Sequence, residues 1–162
     1  MKNHSSENTE NRNMLNLVEP LCEEDATAVA LLEKTCFSLP WSEKHLRQAM
    51  AHQAFQVIGI KTGSRALGAY VSFYHLKEEI EIVNIATSPK LRRKGMAFAL
   101  MRTLIGEALS LGVSRILLEV KETNQPAIAL YQSFGFKPIG VRKGYYRDTG
   151  EDAIVLELPL NQ

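Results

Sequence analysis

Hydrophobic and polar positions divide the chain by period. After Met1 no apolar residue occurs through Asn13, which predicts a disordered polar tail over 1–13 and a single folded domain over 14–162. Leu15, Leu17 and Val18 suggest a short strand that Pro20 and Leu21 end. Apolar residues then recur at helical spacing from Glu23 to Cys36 (Ala26, Val29, Ala30, Leu32). Phe37 to Trp41 interrupts that helix, and Ser42 is placed to cap a second one over Glu43 to His52. The period next falls to two. Phe55–Lys61, Ala66–Leu76 and Glu79–Thr87 read as three strands of an antiparallel meander, with Thr62-Gly63-Ser64 as a turn.

Beyond Thr87 helix and strand alternate. Ala97, Leu100, Met101, Leu104, Ala108 and Leu111 form one face of a helix over Met96–Leu111, ended by Gly112. Arg115–Val120 is nearly continuously apolar and reads as a buried strand. Pro126–Phe134 fits a helix with proline in its first turn and Gly135 at its end. Phe136–Arg142 and Ala153–Leu158 close as strands around a polar loop, Lys143–Asp152. The expected class is α+β: a mixed sheet of about seven strands (meander, then β-α-β-α-β-β) with about four helices.

Composition narrows the functional classes. In 162 residues, 19 Lys and Arg against 18 Asp and Glu give a net charge of +1, which excludes a polycationic nucleic-acid coat and leaves no direct nucleic-acid partner expected. No apolar run approaches the ~20 residues of a membrane span, so no membrane association and a cytoplasmic location are expected. Cys22 and Cys36 lack metal-ligand spacing and are expected to be small buried residues. His4, His45, His52 and His75 show no ligand pattern either, so no metal is expected.

Local charge tells more than the total. Four of the five residues from Lys90 to Lys94 are basic, and they lead into the helix at Met96. Gly95 and Ala97 are small enough for a ligand to approach the backbone, and the amides and dipole of a helix N-terminus favour an anion. A solvated charge run before a helix would look the same. The segment is neither G-x-x-x-x-G-K-[ST] nor G-x-G-x-x-G.

Arg92-x-x-Gly95-x-Ala97 resembles the [QR]-x-x-G-x-[GA] pyrophosphate motif of the GCN5-related N-acetyltransferase (GNAT) superfamily, and Ala129 to Phe136 is similar to its A-x-x-x-Y-x-x-x-G-F signature. Within the superfamily the chain resembles the bacterial ribosomal-protein-alanine N-acetyltransferases, the RimI-like family. The segments that carry this are Pro40-Trp41-Ser42-Glu43-Lys44, Asn84-Ile85-Ala86, Leu118-Glu119-Val120, Asn124, Ala127 to Tyr131, Tyr145-Tyr146 and Glu151-Asp152-Ala153-Ile154. The resemblance covers about Leu15 to Leu160. It implies the GNAT fold, acetyl-CoA as cosubstrate, and the N-terminal alanine of a small-subunit ribosomal protein as acceptor. It also implies that Ile85, Ala86, Thr87, Arg92, Arg93, Lys94, Gly95, Met96, Ala97, Phe98 and Asn124 bind acetyl-CoA. Gln125-Pro126 departs from the two small residues usual there.

The resemblance makes Glu119 the proton acceptor and Tyr131 the proton donor. Read alone, Glu119 is the one charge in Ile116–Val120, and a strand carboxylate facing solvent or paired with Lys121 or Arg115 fits equally. An α-amine of pKa ~7.7–8.0 is mostly protonated at neutral pH and needs a base, and desolvation raises a carboxyl's pKa toward it. Tyr131, beside Ala127, Leu130 and Phe134, reads alone as a core aromatic, yet a phenol of pKa ~10 is also able to protonate a thiolate whose pKa is nearer ~8.5. A bulge or splay at Asn84–Thr87, where alternation breaks, would free backbone amides for the thioester oxygen and the pantetheine arm. Trp41, Tyr145 and Tyr146 are the acceptor-side candidates, as packing residues or as contacts. Asp148, Glu151 and Asp152 gather in the last loop, where a basic peptide would approach. Two rivals remain open: the same transfer to a lysine, polyamine or antibiotic amine, and an acyl-CoA sensor without turnover. A monomer is expected.

Overall fold

The computed structural model describes residues 17–64 and 66–160. The tail expected over 1–13, and Leu15, lie outside these residues. Seven strands form one sheet in the order β1-β2-β3-β4-β5-β7-β6: β1 Val18–Leu21, β2 Phe55–Lys61, β3 Leu67–Leu76, β4 Glu79–Thr87, β5 Arg115–Lys121, β6 Lys137–Arg142 and β7 Ala153–Pro159. Four α-helices accompany them: α1 Ala26–Cys36, α2 Glu43–Met50, α3 Met96–Ser110 and α4 Gln125–Ser133. The first four strands are successively antiparallel, as the meander reading requires. β5 returns parallel to β4 through the α3 crossover, and β7 is inserted antiparallel between β5 and β6.

Two apolar layers hold the sheet. On one face Leu100, Met101 and Leu104 of α3, with Ile128 and Tyr131 of α4, bury against Val71, Phe73, Ile80, Ile82, Ile116, Leu118 and Leu156. Full burial of each such aliphatic side chain stabilises the fold by roughly 1.5–3 kcal/mol. On the other face Val29 and Leu32 of α1 and Leu46 of α2 pack on Phe55, Val57 and Tyr70. Ser42 caps α2 as expected, its hydroxyl accepting from the His45 amide at 3.2 Å.

Some expectations change. Pro20 lies within β1 and does not end it, because β1 is an edge strand that can lack a donor. The first turn expected of α1 is a 3-10 turn, Glu23–Asp25, ahead of the α-helix. Cys22 is exposed in this turn, where its amide donates to Asp25 at 3.0 Å, and Cys36 is half-buried, so neither is a fully buried residue. β5 is apolar along its length but buried only at Ile116, Leu118 and Val120. Its other face, with Leu117 and Glu119, is partly open.

The irregularities of β4 matter most for the site. Nine residues of β4 face eight of β3: Phe73 pairs with Ile82 and Ser72 with Asn84, so Val83 is the extra residue of a bulge. The bulge resets which side each later residue faces. Ile80 and Ile82 point to the α3 layer, whereas Asn84 and Ala86 point to the α1 layer and Ile85 returns to α3. β4 also leaves β5 early. Their parallel pairing runs only from Glu79–Arg115 to Glu81–Leu117, after which the strands part. Every strand aims alternate amides and carbonyls to each side. From Ile82 onward, those of β4 that face β5 therefore lack a strand partner.

Candidate active site

The gap between the parted strands has one wall at the end of β4 and the other at Leu118–Lys121 of β5. Below β4 the chain makes a 3-10 turn, Pro89–Leu91, and passes into α3. Arg93 and Gly95 both have left-handed backbones, φ 64° and 81°, on either side of Lys94. Gly95 takes the N-cap position of α3 without a side-chain cap. Among the described residues no acceptor takes the amides of Arg93, Lys94, Gly95, Met96, Ala97 or Phe98. A row of unused amides at a helix N-terminus, rimmed by exposed Arg92, Arg93 and Lys94, fits a pyrophosphate. Arg92 also donates through Nε to the Thr87 carbonyl at 3.3 Å, which ties the basic turn to the end of β4.

Gly95→Ala is the direct test of that turn. A Cβ in the left-handed region costs about 1 kcal/mol or somewhat more. The variant is expected to melt a few degrees lower and, because the turn relaxes away from its geometry, to bind acetyl-CoA about tenfold more weakly in a calorimetric titration. Unchanged affinity would separate the turn from acetyl-CoA.

Glu119 stands on the partly open face of β5, its side chain 18% exposed. Its partner is neither Lys121 nor Arg115. Lys121 is drawn to Glu151 at 3.1 Å and Asp148 at 3.8 Å, and Arg115 to Glu79 at 2.5 Å and Glu157 at 3.2 Å. Instead, Arg142 reaches it from two strands away, Nε to Oε1 2.6 Å. The register explains the contact: Lys121, Ala153 and Arg142 form one cross-sheet row on the face that carries Glu119. Nothing in the local sequence signals this, because it depends on β7 lying between β5 and β6. The Arg142 guanidinium in turn lies over the Tyr145 ring, 5.6 Å from its centre.

Tyr145 and Tyr146 meet edge to face, ring centres 5.2 Å apart. Glu119 pushes the Tyr145 phenol up, with partial burial adding to it. Burial first, then Glu119, raises Tyr146 to about 12. Lys121 lies over the Tyr146 ring at 4.9 Å. Tyr131 belongs to the opposite, α3 layer and is only 4% exposed. Burial holds its phenol well above the ordinary range, and Tyr146 is the one neighbouring group that adds to the shift. Among the described residues nothing bonds to the Tyr131 hydroxyl, and no enclosed polar atom lacks a partner, so that hydroxyl is not fully enclosed. Glu119, Tyr145, Tyr146 and Tyr131 are thus linked as successive neighbours, although Glu119 and Tyr131 belong to opposite faces of the sheet.

The acceptor-side candidates divide. Tyr145 and Tyr146 border Glu119, but the Trp41 ring stacks on Phe55, centres 5.7 Å apart and planes 12° apart, so the indole is largely a packing group. Trp41 also lines an open pocket of about 350 Å3 with Pro40 and His45. Asn124 is the N-cap of α4, its Oδ1 accepting from the Ala127 amide at 3.3 Å, and Pro126 sits in the first turn without disturbing the helix.

The last loop is not the free acidic patch the sequence suggested. Asp148 accepts from the Ser38 hydroxyl and joins this loop to the α1–α2 connection. Glu151 is bound by Thr123 and Lys121, and Asp152 by Lys143 at 2.6 Å. Hydrogen bonds from Thr123, then Thr149 and Lys121, hold the Glu151 carboxyl down at about 2. A carboxylate with a depressed pKa stabilises the fold above its unfolded value and loses that contribution as pH falls through the folded one. Ser38 and Lys143 hold the Asp148 and Asp152 carboxyls low as well, so the loop is expected to loosen as pH falls from about 4.5 towards 2, read by tyrosine near-ultraviolet circular dichroism, and Glu151→Gln should reduce the amplitude of that transition. An unchanged transition in the variant would assign it to Asp148 and Asp152 alone.

A seven-stranded mixed sheet opening between its two parallel strands, with an anion-ready helix start beside the opening, is the frame of an acetyltransferase. The chain belongs to the acetyltransferase (GNAT) family, whose profile matches residues 26–136, and it is an acyltransferase of that family. It is 34% identical over 151 residues to the [ribosomal protein bS18]-alanine N-acetyltransferase of Escherichia coli K12, covering 91% of this chain and 99% of that protein. The protein of that name from Salmonella typhimurium is 32% identical over 150 residues, with 91% and 99% covered. The crystal structure of the E. coli ribosomal-protein-S18-alanine N-acetyltransferase superposes with a TM-score of 0.82 at 31% identity, over 90% of this chain and 94% of that one. Arabidopsis thaliana NAA60 in complex with acetyl-CoA shares the fold, with a TM-score of 0.79 at 15% identity, over 90% and 98%. No helix among the described residues is long and apolar enough to cross a membrane, and none of their His, Cys, Asp and Glu side chains cluster to hold a metal.

Proposed function

We propose that this protein transfers the acetyl group of acetyl-CoA to the α-amine of the N-terminal alanine of a small-subunit ribosomal protein. The observation that carries the reading is the likeness over nine-tenths of the chain to enzymes named for that reaction, in a fold whose sheet opens between β4 and β5. The pyrophosphate lies on the amides of residues 93–98, and Arg92, Arg93 and Lys94 offset its charge. Pantetheine runs along Ile85–Thr87, pairing with the strand edge that β5 leaves vacant, with Asn124 beside it. The acceptor peptide enters between Trp41 on one side and Tyr145 and Tyr146 on the other.

Transfer is direct. The amine lone pair attacks the thioester carbonyl, the C–N bond forms, and amides of the parted strand take the oxyanion. Glu119 accepts the amine proton, directly or through a water. The C–S bond then breaks, and Tyr131 offers its proton to the departing sulfur. Its raised pKa keeps Tyr131 protonated throughout the working range. Full proton transfer is balanced only because the thiolate forms in the same desolvated gap, where burial raises the thiol's pKa too.

Following CoA release with acetyl-CoA and a short peptide that begins with alanine tests the reading. Turnover on this peptide, and none on its N-terminally blocked form carrying a lysine, is the expected result. Turnover on lysine alone would sink the acceptor assignment. Tight acetyl-CoA binding without turnover on any amine would sink the enzyme reading.

A further inference from the structure

Glu33 is a buried carboxylate that the chemistry above does not use. It lies in α1, is 2% exposed, and is surrounded by the aliphatic and aromatic layer beneath the meander. An ion there is tolerated only with several donors, since an unpaired buried charge costs several kcal/mol. Glu33 has three, each from a different element. The Trp41 amide donates to Oε2 at 2.9 Å, Asn84 Nδ2 donates to Oε1 at 2.8 Å, and the Tyr70 hydroxyl donates to Oε1. Burial first, then the neighbouring Glu33 carboxyl, holds the Tyr70 phenol far above its ordinary range, so it donates at any working pH.

Two of the three donors lead straight to the walls of the cleft. Asn84 immediately precedes Ile85–Thr87, and it faces Glu33 only because the Val83 bulge turns it to the α1 side. Trp41 belongs to the α1–α2 connection, which reaches across to the last loop through Ser38 and Asp148. Tyr70, in the middle of β3, faces Ala86 across the backbone ladder, a pairing that does not involve its hydroxyl, so the hydroxyl itself ties neither wall. One carboxylate therefore holds the strand on the acetyl-CoA side and the loop on the acceptor side at the same time.

We propose that Glu33 is a positioning residue that sets both walls of the cleft, so that it governs the affinity for both substrates without touching either. The proposal rests on the assignment of Ile85–Thr87 and Trp41 to acetyl-CoA and acceptor made above. In Glu33→Gln the side chain keeps its size, but its amide nitrogen must face either the Trp41 amide or the Asn84 and Tyr70 donors together, and one wall is released. The full-length variant is expected to show a peptide KM about tenfold higher and an acetyl-CoA KM severalfold higher, with kcat within about twofold. Tyr70→Phe removes a donor of the same anion that serves neither wall. It should lower the melting temperature and leave both KM values within about twofold of wild type.

Asn84→Ala frees the strand alone and should raise the acetyl-CoA KM more than the peptide KM, which keeps the question answerable should Glu33→Gln not fold. Unchanged KM values in Glu33→Gln or Asn84→Ala would overturn the proposal. Equal effects from Tyr70→Phe and Glu33→Gln would also overturn it, since the anion would then act through packing alone. Should the wild type fail to acetylate alanine peptides, that reading falls by itself. Calorimetric acetyl-CoA affinities of wild type and Asn84→Ala would still decide the strand half of this one.

Discussion

Replacing Glu119 by Gln is expected to lower kcat/KM for an alanine peptide about 10²–10³-fold at neutral pH, within the range general bases contribute. The deficit should shrink above the α-amine's pKa of ~7.7–8.0, where the acceptor arrives already neutral. Acetyl-CoA affinity should hardly change, because Glu119 lies on the β5 wall and the amide row lies at α3. Stability should hardly change either. The guanidinium that loses its partner, Arg142, is 59% exposed and is rehydrated at little cost. A variant with the wild-type pH–rate profile would remove Glu119 as the base. A variant that fails to bind acetyl-CoA would mean that the Arg142 pair holds the cleft in shape.

Tyr131→Phe is expected to reduce kcat by about 10–100-fold while both KM values stay within about twofold. The ring keeps its place between α4 and the sheet, where it packs 5.7 Å from Phe136. Among the described residues the hydroxyl makes no bond that the change would break, so the melting temperature should move by no more than a degree or two. A loss of activity at unchanged stability separates a proton donor from a packing residue. Full activity would reduce Tyr131 to the core aromatic that its spacing alone suggested.

The periodic parts of this fold were legible residue by residue. Phe55–Lys61 and Glu79–Thr87 were bounded correctly from alternation alone, and Ser42 and Gly112 marked helix ends through local chemistry that needs no tertiary context. The resemblance of Arg92-x-x-Gly95-x-Ala97 pointed to a turn whose left-handed residues and unused amides are now visible. The broken alternation before Pro89 pointed to an opening in the sheet, and both a bulge and a parting of strands occur there.

What stayed hidden depends on register and distance. Arg142 meets Glu119 only because β7 is inserted between their strands, an order that no local pattern encodes. Asp148 and Glu151 looked free because their partners, Ser38 and Thr123, are 110 and 28 residues away in the chain. Glu33 reads in sequence as one more charge on an amphipathic helix. The three donors that make its burial tolerable come from a loop and two strands that pattern reasoning treats separately.

The early parting of β4 from β5 has a thermodynamic side. A sheet interrupted in its middle owns two interior edges, and a ligand that lies along them acts as a missing strand of the fold. At a hundredfold excess over its dissociation constant such a ligand adds about 2.7 kcal/mol to global stability. The empty protein is then the least durable species of the catalytic cycle, and CoA, which presents the same pantetheine arm as acetyl-CoA, protects it as well. The lifetime of the enzyme in a cell, and not only its rate, would follow the supply of coenzyme.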